Sequence, residues 1–192
     1  GAGVCIGVAT PPNRVAIIRA TDIPEAHVDE LPPGEMGEIV VTGPTVTPGY
    51  FERMRETQLA KIPVGDELWH RMGDVGYKDA EGRIWFCGRK SHVVATAQGP
   101  VYPIPTEAIF NQHPRVARSA LIAYRDFVAI VVEPRKAGED VPLIELRQLA
   151  QLHAHTEKIV HFFVHPSFPV DVRHNIKIDR LALAAWAAKE HP

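Results

Sequence analysis

Apolar and polar residues alternate in short runs over the first 90 positions, a pattern typical of β-strands separated by turns. The segment Asp79–Gly82 predicts a hairpin turn, because glycine adopts the positive φ of such a turn without steric cost. A short polar helix is predicted at Arg53–Lys61. The predicted strands are Val15–Ile18, Gly37–Thr42, Leu68–Arg71, Val75–Tyr77 and Arg83–Cys87. This part of the chain therefore predicts a small, mostly antiparallel β unit.

The second half of the chain contains predicted helices as well as predicted strands. Leu143–His153 has apolar residues at positions 143, 146, 149 and 152, which is the spacing of one helix face. Pro105–Asn111 predicts a helix that begins with proline, a residue favoured in the first turn. The other predicted elements are strands at Val93–Thr96, Val116–Tyr124, Phe127–Glu133 and Phe162–Val164, and a helix at Ile178–Lys189. We predict an α+β fold, with a β-rich subdomain at residues 1–90 and a compact domain at residues 91–192.

Composition narrows the class of protein. The chain of 192 residues is 45% hydrophobic and 23% charged, as in globular proteins, which argues against disorder and a coiled coil. The 21 Lys and Arg residues do not exceed the 23 Asp and Glu residues, so no nucleic-acid partner is expected. We find no apolar run of about 18 residues and no leader, and therefore expect no membrane span. The two cysteines form no CxxC pair, which favours reduced thiols and a cytoplasmic location.

Several motifs of cofactor, metal or nucleophile sites are excluded. The opening run Gly1–Gly7 departs from the dinucleotide-binding spacing and predicts a turn, and this start inside a glycine run suggests a fragment. His153 and His155 lack the cysteines and carboxylates of a zinc site, so no metal ligands are predicted. The chain contains neither a G-x-S-x-G elbow nor a Walker phosphate loop. Its chemistry must therefore depend on other polar residues.

Three polar positions remain as candidates. Asp74 follows a glycine at a strand end, where its carboxylate is placed to accept two hydrogen bonds from a sugar diol. Arg89 and Lys90 form a cationic pair at the junction of the two halves. Lys177 is flanked by isoleucines near a loop–helix boundary. Each of these motifs, taken alone, is compatible with ordinary surface residues. Only the order of the three motifs along the chain favours a common site.

The order of these motifs resembles that of the adenylate-forming superfamily, which includes acyl-CoA synthetases, fatty acyl-AMP ligases, nonribosomal adenylation domains and luciferases. The sequence WHRMGDVG is similar to the (W/Y)-x-(R/K)TGD motif of that superfamily, with Met72 in place of threonine. The similarity covers nearly the whole chain, with the motifs in the same order. The matching segments are Gly37–Pro44, Gly49–Phe51, Trp69–Gly76, Asp79–Arg89, Pro105–Ile109 and Lys177–Ile178. This resemblance implies the end of a large adenylation domain at residues 1–90 and a mobile C-terminal domain at residues 91–192.

The resemblance also implies roles for single residues. In such enzymes a carboxylate attacks the α-phosphate of Mg·ATP, which gives an acyl-adenylate and pyrophosphate. Asp74 would bind the ribose hydroxyls, Arg89 would bind the ribose or phosphates, and Lys177 would stabilise the charge at the reacting oxygens. Lys90 and Ser91 would form the hinge between the domains. ATP and Mg²⁺ would both require an N-terminal adenylation domain upstream of the chain, so the isolated fragment is expected to be inactive.

Details of two motifs resemble the olefin β-lactone synthetases of bacterial long-chain olefin biosynthesis. These details are GRKSH at Gly88–His92 and FPVD-x-RHN-x-KI at Phe168–Ile178. The implied substrate is a β-hydroxy fatty acid that is closed to a β-lactone, and other enzymes of olefin biosynthesis are possible partners. Three prolines stiffen the loop from Pro100 to Pro105, which fits an enzyme that admits no CoA. The alternatives are an acyl-CoA synthetase or fatty acyl-AMP ligase and, in another class, a non-catalytic partner-binding module.

Overall fold

The computed structural model describes residues 2–171 and 177–191 and divides into two compact units. The first unit is Ala2–Ser91, and the second begins at His92. Among the described residues, no helix has the length and apolar character needed to cross a bilayer. The mixture of sheets and helices confirms the predicted α+β class, whereas the assignment of the units to ligase domains stays a prediction.

The first unit is built on one antiparallel sheet. Its elements are β1 (Val4–Gly7), β2 (Arg14–Ile18), β3 (Gly37–Thr42), α1 (Met54–Ala60), β4 (Lys61–Val64), β5 (Glu67–Lys78) and β6 (Ile84–Arg89). The strands lie in the order β1-β6-β5-β3-β2, and β4 pairs with β5 beside β3. The predicted strands Val15–Ile18, Gly37–Thr42 and Arg83–Cys87 and the short helix at residues 53–61 are thereby confirmed with small shifts of their ends.

Neighbouring residues of the central strands pack on opposite faces of this sheet. Ile18 and Val40 belong to one apolar cluster, whereas Ile17 and Ile39 belong to another. Successive side chains of a strand point to opposite faces, so continuous apolar runs in β2 and β3 fill both clusters. The sheet is thus covered on both sides, which fixes the register of the strands that carry the polar candidates.

The structure corrects two expectations in the first unit. Val4–Gly7, predicted as part of a turn, is an edge strand that pairs with β6. The segments Leu68–Arg71 and Val75–Tyr77, predicted as separate strands, belong to one continuous strand, β5. Gly73 has a φ of 67° within β5, a conformation that glycine adopts without strain, so the strand passes through this point without ending.

The second unit combines a three-stranded sheet with helices on both faces. Its elements are β7 (Val94–Thr96), β8 (Gly99–Val101), α2 (Pro103–Phe110), β9 (Val116–Tyr124), β10 (Phe127–Pro134), α3 (Leu143–Gln151), β11 (His161–Val164) and α4 (Arg180–Glu190). Strand β10 is antiparallel to β9 and parallel to β11, while β7 and β8 form a separate hairpin. Ile130 packs with α2 and α3, and Val131 packs with α4.

The proline-rich loop is more regular than its sequence predicts. Residues 99–101 form strand β8, and helix α2 begins at Pro103, two residues before the predicted start. Prolines at the first helical positions cost no hydrogen bond, because the first-turn amides have no acceptor within the helix. Both Pro103 and Pro105 are buried, so this segment is held by packing as well as by its fixed backbone angles.

Candidate functional site

Asp74 and Arg89 face each other on neighbouring strands of the first unit. They are directly opposed in the β5–β6 pairing, and Nη1 of Arg89 lies 2.9 Å from Oδ1 of Asp74. Directly opposed residues of an antiparallel pair have adjacent side chains, so the register alone brings together two residues that are distant in sequence. The structure therefore joins two of the residues selected from the sequence in one ion pair.

Burial makes the Asp74 carboxylate different from a surface aspartate. Desolvation raises the pKa of Asp74, the Arg89 guanidinium opposes that rise, and the charge of Glu38 adds to it. Oδ1 of Asp74 is buried and makes no well-aligned hydrogen bond to any described residue, even though Nη1 of Arg89 is close. Because Oδ1 is buried beside Arg89, a ligand would contact the 20% of the Asp74 side chain that is exposed.

Lys90 is anchored within the first unit. Its Nζ lies 2.9 Å from Oδ1 of Asp22 and 3.4 Å from Oε2 of Glu38, and it donates a hydrogen bond to the Thr21 carbonyl. Ser91, the other predicted hinge residue, is exposed in the short 3₁₀ turn Lys90–His92. The two predicted hinge residues therefore differ, because only Lys90 is bound into a charged cluster.

The sequence analysis missed the centre of that cluster, the ion pair of Glu38 and Arg71. Only 2% of Glu38 and 6% of Arg71 is exposed, and Oε2 of Glu38 accepts from both Nε and Nη2 of Arg71, at 3.1 and 2.5 Å. Nη1 of Arg71 donates to the Ile23 carbonyl at 2.8 Å. The available signals were the position of Glu38 beside the apolar run Ile39–Val41, where a charge requires a partner, and the place of Arg71 in the WHRMGD motif.

Lys177 is exposed and follows residues 172–176, which lie outside the described part of the chain together with most of the RHN-x-KI motif. Its carbonyl accepts a hydrogen bond from the Asp171 amide at 2.9 Å, and Ile178 forms an antiparallel bridge with Val170. Asp179 caps helix α4 by accepting from the Ala182 amide at 2.9 Å. The backbone of Lys177 thus lies between a β-bridge and a capped helix.

A second buried ion pair, Glu107 with Arg180, was also missed by the sequence analysis. Nη2 of Arg180 lies 2.7 Å from Oε1 and 2.9 Å from Oε2 of Glu107. Little in the sequence indicated this pair, because Glu107 is on α2 and Arg180 is on α4. Residues on helices so far apart in the chain have no characteristic spacing that would predict a contact.

No metal centre emerges from the described residues, and one of the two thiols is buried. The described residues contain no group of three or more His, Cys, Asp or Glu side chains able to hold a metal ion. The His153 and His155 rings are near each other, with centroids 5.9 Å apart, but no third ligand joins them among these residues. Burial raises the pKa of the Cys87 thiol to about 11, which disfavours the nucleophilic thiolate.

Comparison with known proteins gives close relatives in sequence. The chain is 46% identical to an olefin β-lactone synthetase of Xanthomonas campestris and 45% identical to one of Stenotrophomonas maltophilia, in each case over 99% of its length. It is 35% identical to a 2-succinylbenzoate–CoA ligase of Geobacillus over 66% of its length. The chain spans 37% of the length of each of the two olefin β-lactone synthetases. No protein-family model matches it.

Solved structures share the fold. ATP-bound MatB from Rhodopseudomonas palustris matches 98% of the chain with a TM-score of 0.77 at 23% identity. The AMP complex of O-succinylbenzoate coenzyme A synthetase from Bacillus subtilis matches 93% with a TM-score of 0.75 at 24% identity. The chain covers 36% and 35% of these two proteins, respectively.

Fold and sequence together identify the chain as a relative of the C-terminal portion of the adenylate-forming ligases. Within that class, it is more similar in sequence to the two olefin β-lactone synthetases than to the 2-succinylbenzoate–CoA ligase.

Replacing Arg89 tests the ion pair directly. We expect Arg89→Met to raise the pKa of Asp74 further, because Arg89 favours the charged carboxylate and desolvation disfavours it. Carboxyl-carbon NMR titration measures this shift. An unchanged Asp74 pKa would show that the two side chains are apart in solution.

Arg83→Met is the matched control for that experiment. Against the effect of desolvation, hydrogen bonds from Trp85 and Arg83 lower the pKa of Asp79 to about 2. The control should therefore raise the pKa of Asp79 and leave that of Asp74 unchanged.

Proposed function

We propose that the chain is the C-terminal portion of an AMP-forming ligase that adenylates a β-hydroxy fatty acid and closes the product to a β-lactone. The observation that carries this proposal is the 46% identity to an olefin β-lactone synthetase over 99% of the chain. The Asp74–Arg89 pair and the exposed Lys177 supply polar groups suited to the first step.

In the first step, an oxygen of the fatty-acid carboxylate bonds to the α-phosphorus of ATP, and the bond to pyrophosphate breaks. Asp74, whose side chain is 20% exposed, accepts hydrogen bonds from the two ribose hydroxyls. Arg89 assists at the ribose or phosphates. The ammonium of Lys177 stabilises the negative charge that develops on the reacting oxygens.

The described residues contain no group of three or more His, Cys, Asp or Glu side chains that could hold a metal ion by themselves. We therefore assign none of them to Mg²⁺. An ion that accompanies ATP would be held by the phosphates and by parts of the ligase beyond this chain.

In the second step, the β-hydroxyl oxygen of the substrate bonds to the acyl carbon of the adenylate. The bond from that carbon to the phosphate oxygen breaks, AMP leaves with its electron pair, and the hydroxyl proton passes to solvent. This ring closure needs no thiol. The stiff segment 99–105, in which Pro103 and Pro105 are buried, supports it because it fits an enzyme that admits no CoA.

The hinge remains part of this proposal, with unequal roles for its two residues. Rotation about Lys90 would separate its ammonium from the buried carboxylate of Glu38, which is costly. Ser91 is exposed, so its backbone angles can change at lower cost. We assign the pivot to Ser91 and an anchoring role to Lys90.

An acyl-CoA synthetase is the second candidate, favoured by the 35% identity to a 2-succinylbenzoate–CoA ligase. The full-length protein that carries this chain is incubated with ATP and a β-hydroxy fatty acid, with and without CoA, and the products are resolved by mass spectrometry. We expect a β-lactone and AMP without CoA. A product that forms only with CoA would favour the second candidate, and no ATP consumption would favour a non-catalytic partner-binding module.

Lys177→Ala in the full-length protein should lower kcat for pyrophosphate release by about 100- to 1,000-fold, the usual loss for a group that stabilises transition-state charge. Lys158→Ala, which removes another exposed lysine of the same unit, is the control and should retain normal turnover. Pyrophosphate release is followed with a coupled assay. Near-normal release by Lys177→Ala would remove this residue from its proposed role.

Asp74→Ala should raise the KM for ATP by about 10- to 100-fold, because hydrogen bonds to a charged group contribute about 1.5–3 kcal/mol. The matched control is Asp66→Ala, which removes an exposed carboxylate from the turn between β4 and β5. Initial rates at varied ATP concentrations give both constants. Wild-type values of KM and kcat for Asp74→Ala would refute the ribose assignment.

A further inference from the structure

Glu107 and Arg180 join three elements of the second unit. Glu107 is on α2, and Arg180 is the first residue of α4, with 10% and 14% of their side chains exposed, respectively. Both carboxylate oxygens of Glu107 lie within 2.9 Å of Nη2 of Arg180. Oε1 also accepts the Leu121 amide of β9 at 2.7 Å. The start of α4 is thereby attached to the interior of the unit.

Stability alone is a poor explanation for the placement of Arg180. The first turn of a helix carries partial positive charge, which disfavours a cation there. Nε of Arg180 is buried and has no hydrogen-bond partner among the described residues. A buried ion pair is also often no more stabilising than apolar side chains of similar volume. These unfavourable features suggest that the pair serves a positional purpose.

The segment that starts α4 also carries Lys177. Before the helix, the Asp179 amide donates to the Pro169 carbonyl at 2.9 Å, and the Asp171 amide donates to the Lys177 carbonyl at 2.9 Å. Arg180 follows Asp179 directly in the chain, and its side chain pairs with Glu107. The backbone is thus restrained on both sides of Ile178, one residue beyond Lys177.

We propose that Glu107 and Arg180 are positioning residues for Lys177, holding the start of α4 so that the lysine ammonium reaches the reacting oxygens during adenylation. This inference rests on the proposed function. When the anchor is lost, the segment moves relative to the rest of the unit, and displacement of a reacting group by about 1 Å can cost about 100-fold in rate.

The variant Arg180→Met keeps the length of the side chain and is expected to fold. Burial raises the pKa of Glu107, and Arg180 counters that effect. Without Arg180, Glu107 is able to take up a proton and become neutral, and it can still accept the Leu121 amide. If this variant does not fold, Arg180→Met is combined with Glu107→Gln, which removes both charges and keeps a side-chain acceptor for Leu121.

A double-mutant cycle on the full-length protein tests the inference. We expect Arg180→Met to lower kcat for pyrophosphate release by about 10- to 100-fold with an unchanged KM for ATP. In the Lys177→Ala background, the same change should have no further effect on kcat, because it acts only through the lysine. Arg135→Met is the matched control, since its guanidinium donates to the Pro114 and Val116 carbonyls, and it should retain wild-type kcat.

Two results would overturn the inference while leaving the proposed function in place. One is wild-type kcat for Arg180→Met beside a strong loss for Lys177→Ala. The other is a loss from Arg180→Met that multiplies with the loss from Lys177→Ala, which would indicate a general structural role. Near-normal kcat for Lys177→Ala itself would instead refute the role of the lysine, and this inference with it.

Discussion

The buried carboxylate of Glu38 is the constraint on which the first unit depends. It lies on β3, between β5 and the edge strand β2, and it requires positive charge around it because an unpaired buried carboxylate is costly. Arg71 supplies that charge from β5, and Lys90 supplies it from the end of the unit. Strand β5 is thereby fixed against β3 three residues before Asp74, so the same interaction that satisfies Glu38 also determines where Asp74 lies.

The second unit uses the same principle with different elements. Glu107 is buried on α2, and its partner Arg180 comes from the start of α4. In both units, a buried glutamate fixes an arginine or lysine close in sequence to a predicted functional residue. Apolar packing determines where whole strands and helices lie. It restricts the direction of the chain at the end of a helix or strand only weakly. A charged pair with short hydrogen bonds restricts that direction more closely.

Much of the fold could be predicted from the sequence because alternation and turn chemistry are local signals. The hairpin at Asp79–Gly82 and the strands β9 and β10 follow from them. The edge strand at Val4–Gly7 could not be predicted, because a glycine-rich start shows no alternation of apolar and polar residues. This segment is ordered by its pairing with β6. Asp74 and Arg89 were selected by their motifs. Glu38 and Glu107 also lie in matched segments, but they were not selected, because their contacts join strands and helices distant in the chain.

Asp74 and Arg89 are electrostatically coupled, and this coupling bears on the proposed binding of ribose. A carboxylate accepts hydrogen bonds from two hydroxyls most strongly when it is ionised, yet burial and the nearby Glu38 both favour its protonated form. Arg89 acts in the opposite direction and favours the charged carboxylate. It does so from a mostly exposed position, where its guanidinium remains hydrated. In the proposed contact of Asp74 with ribose, Arg89 contributes without touching the diol, because it favours the charged form of the carboxylate.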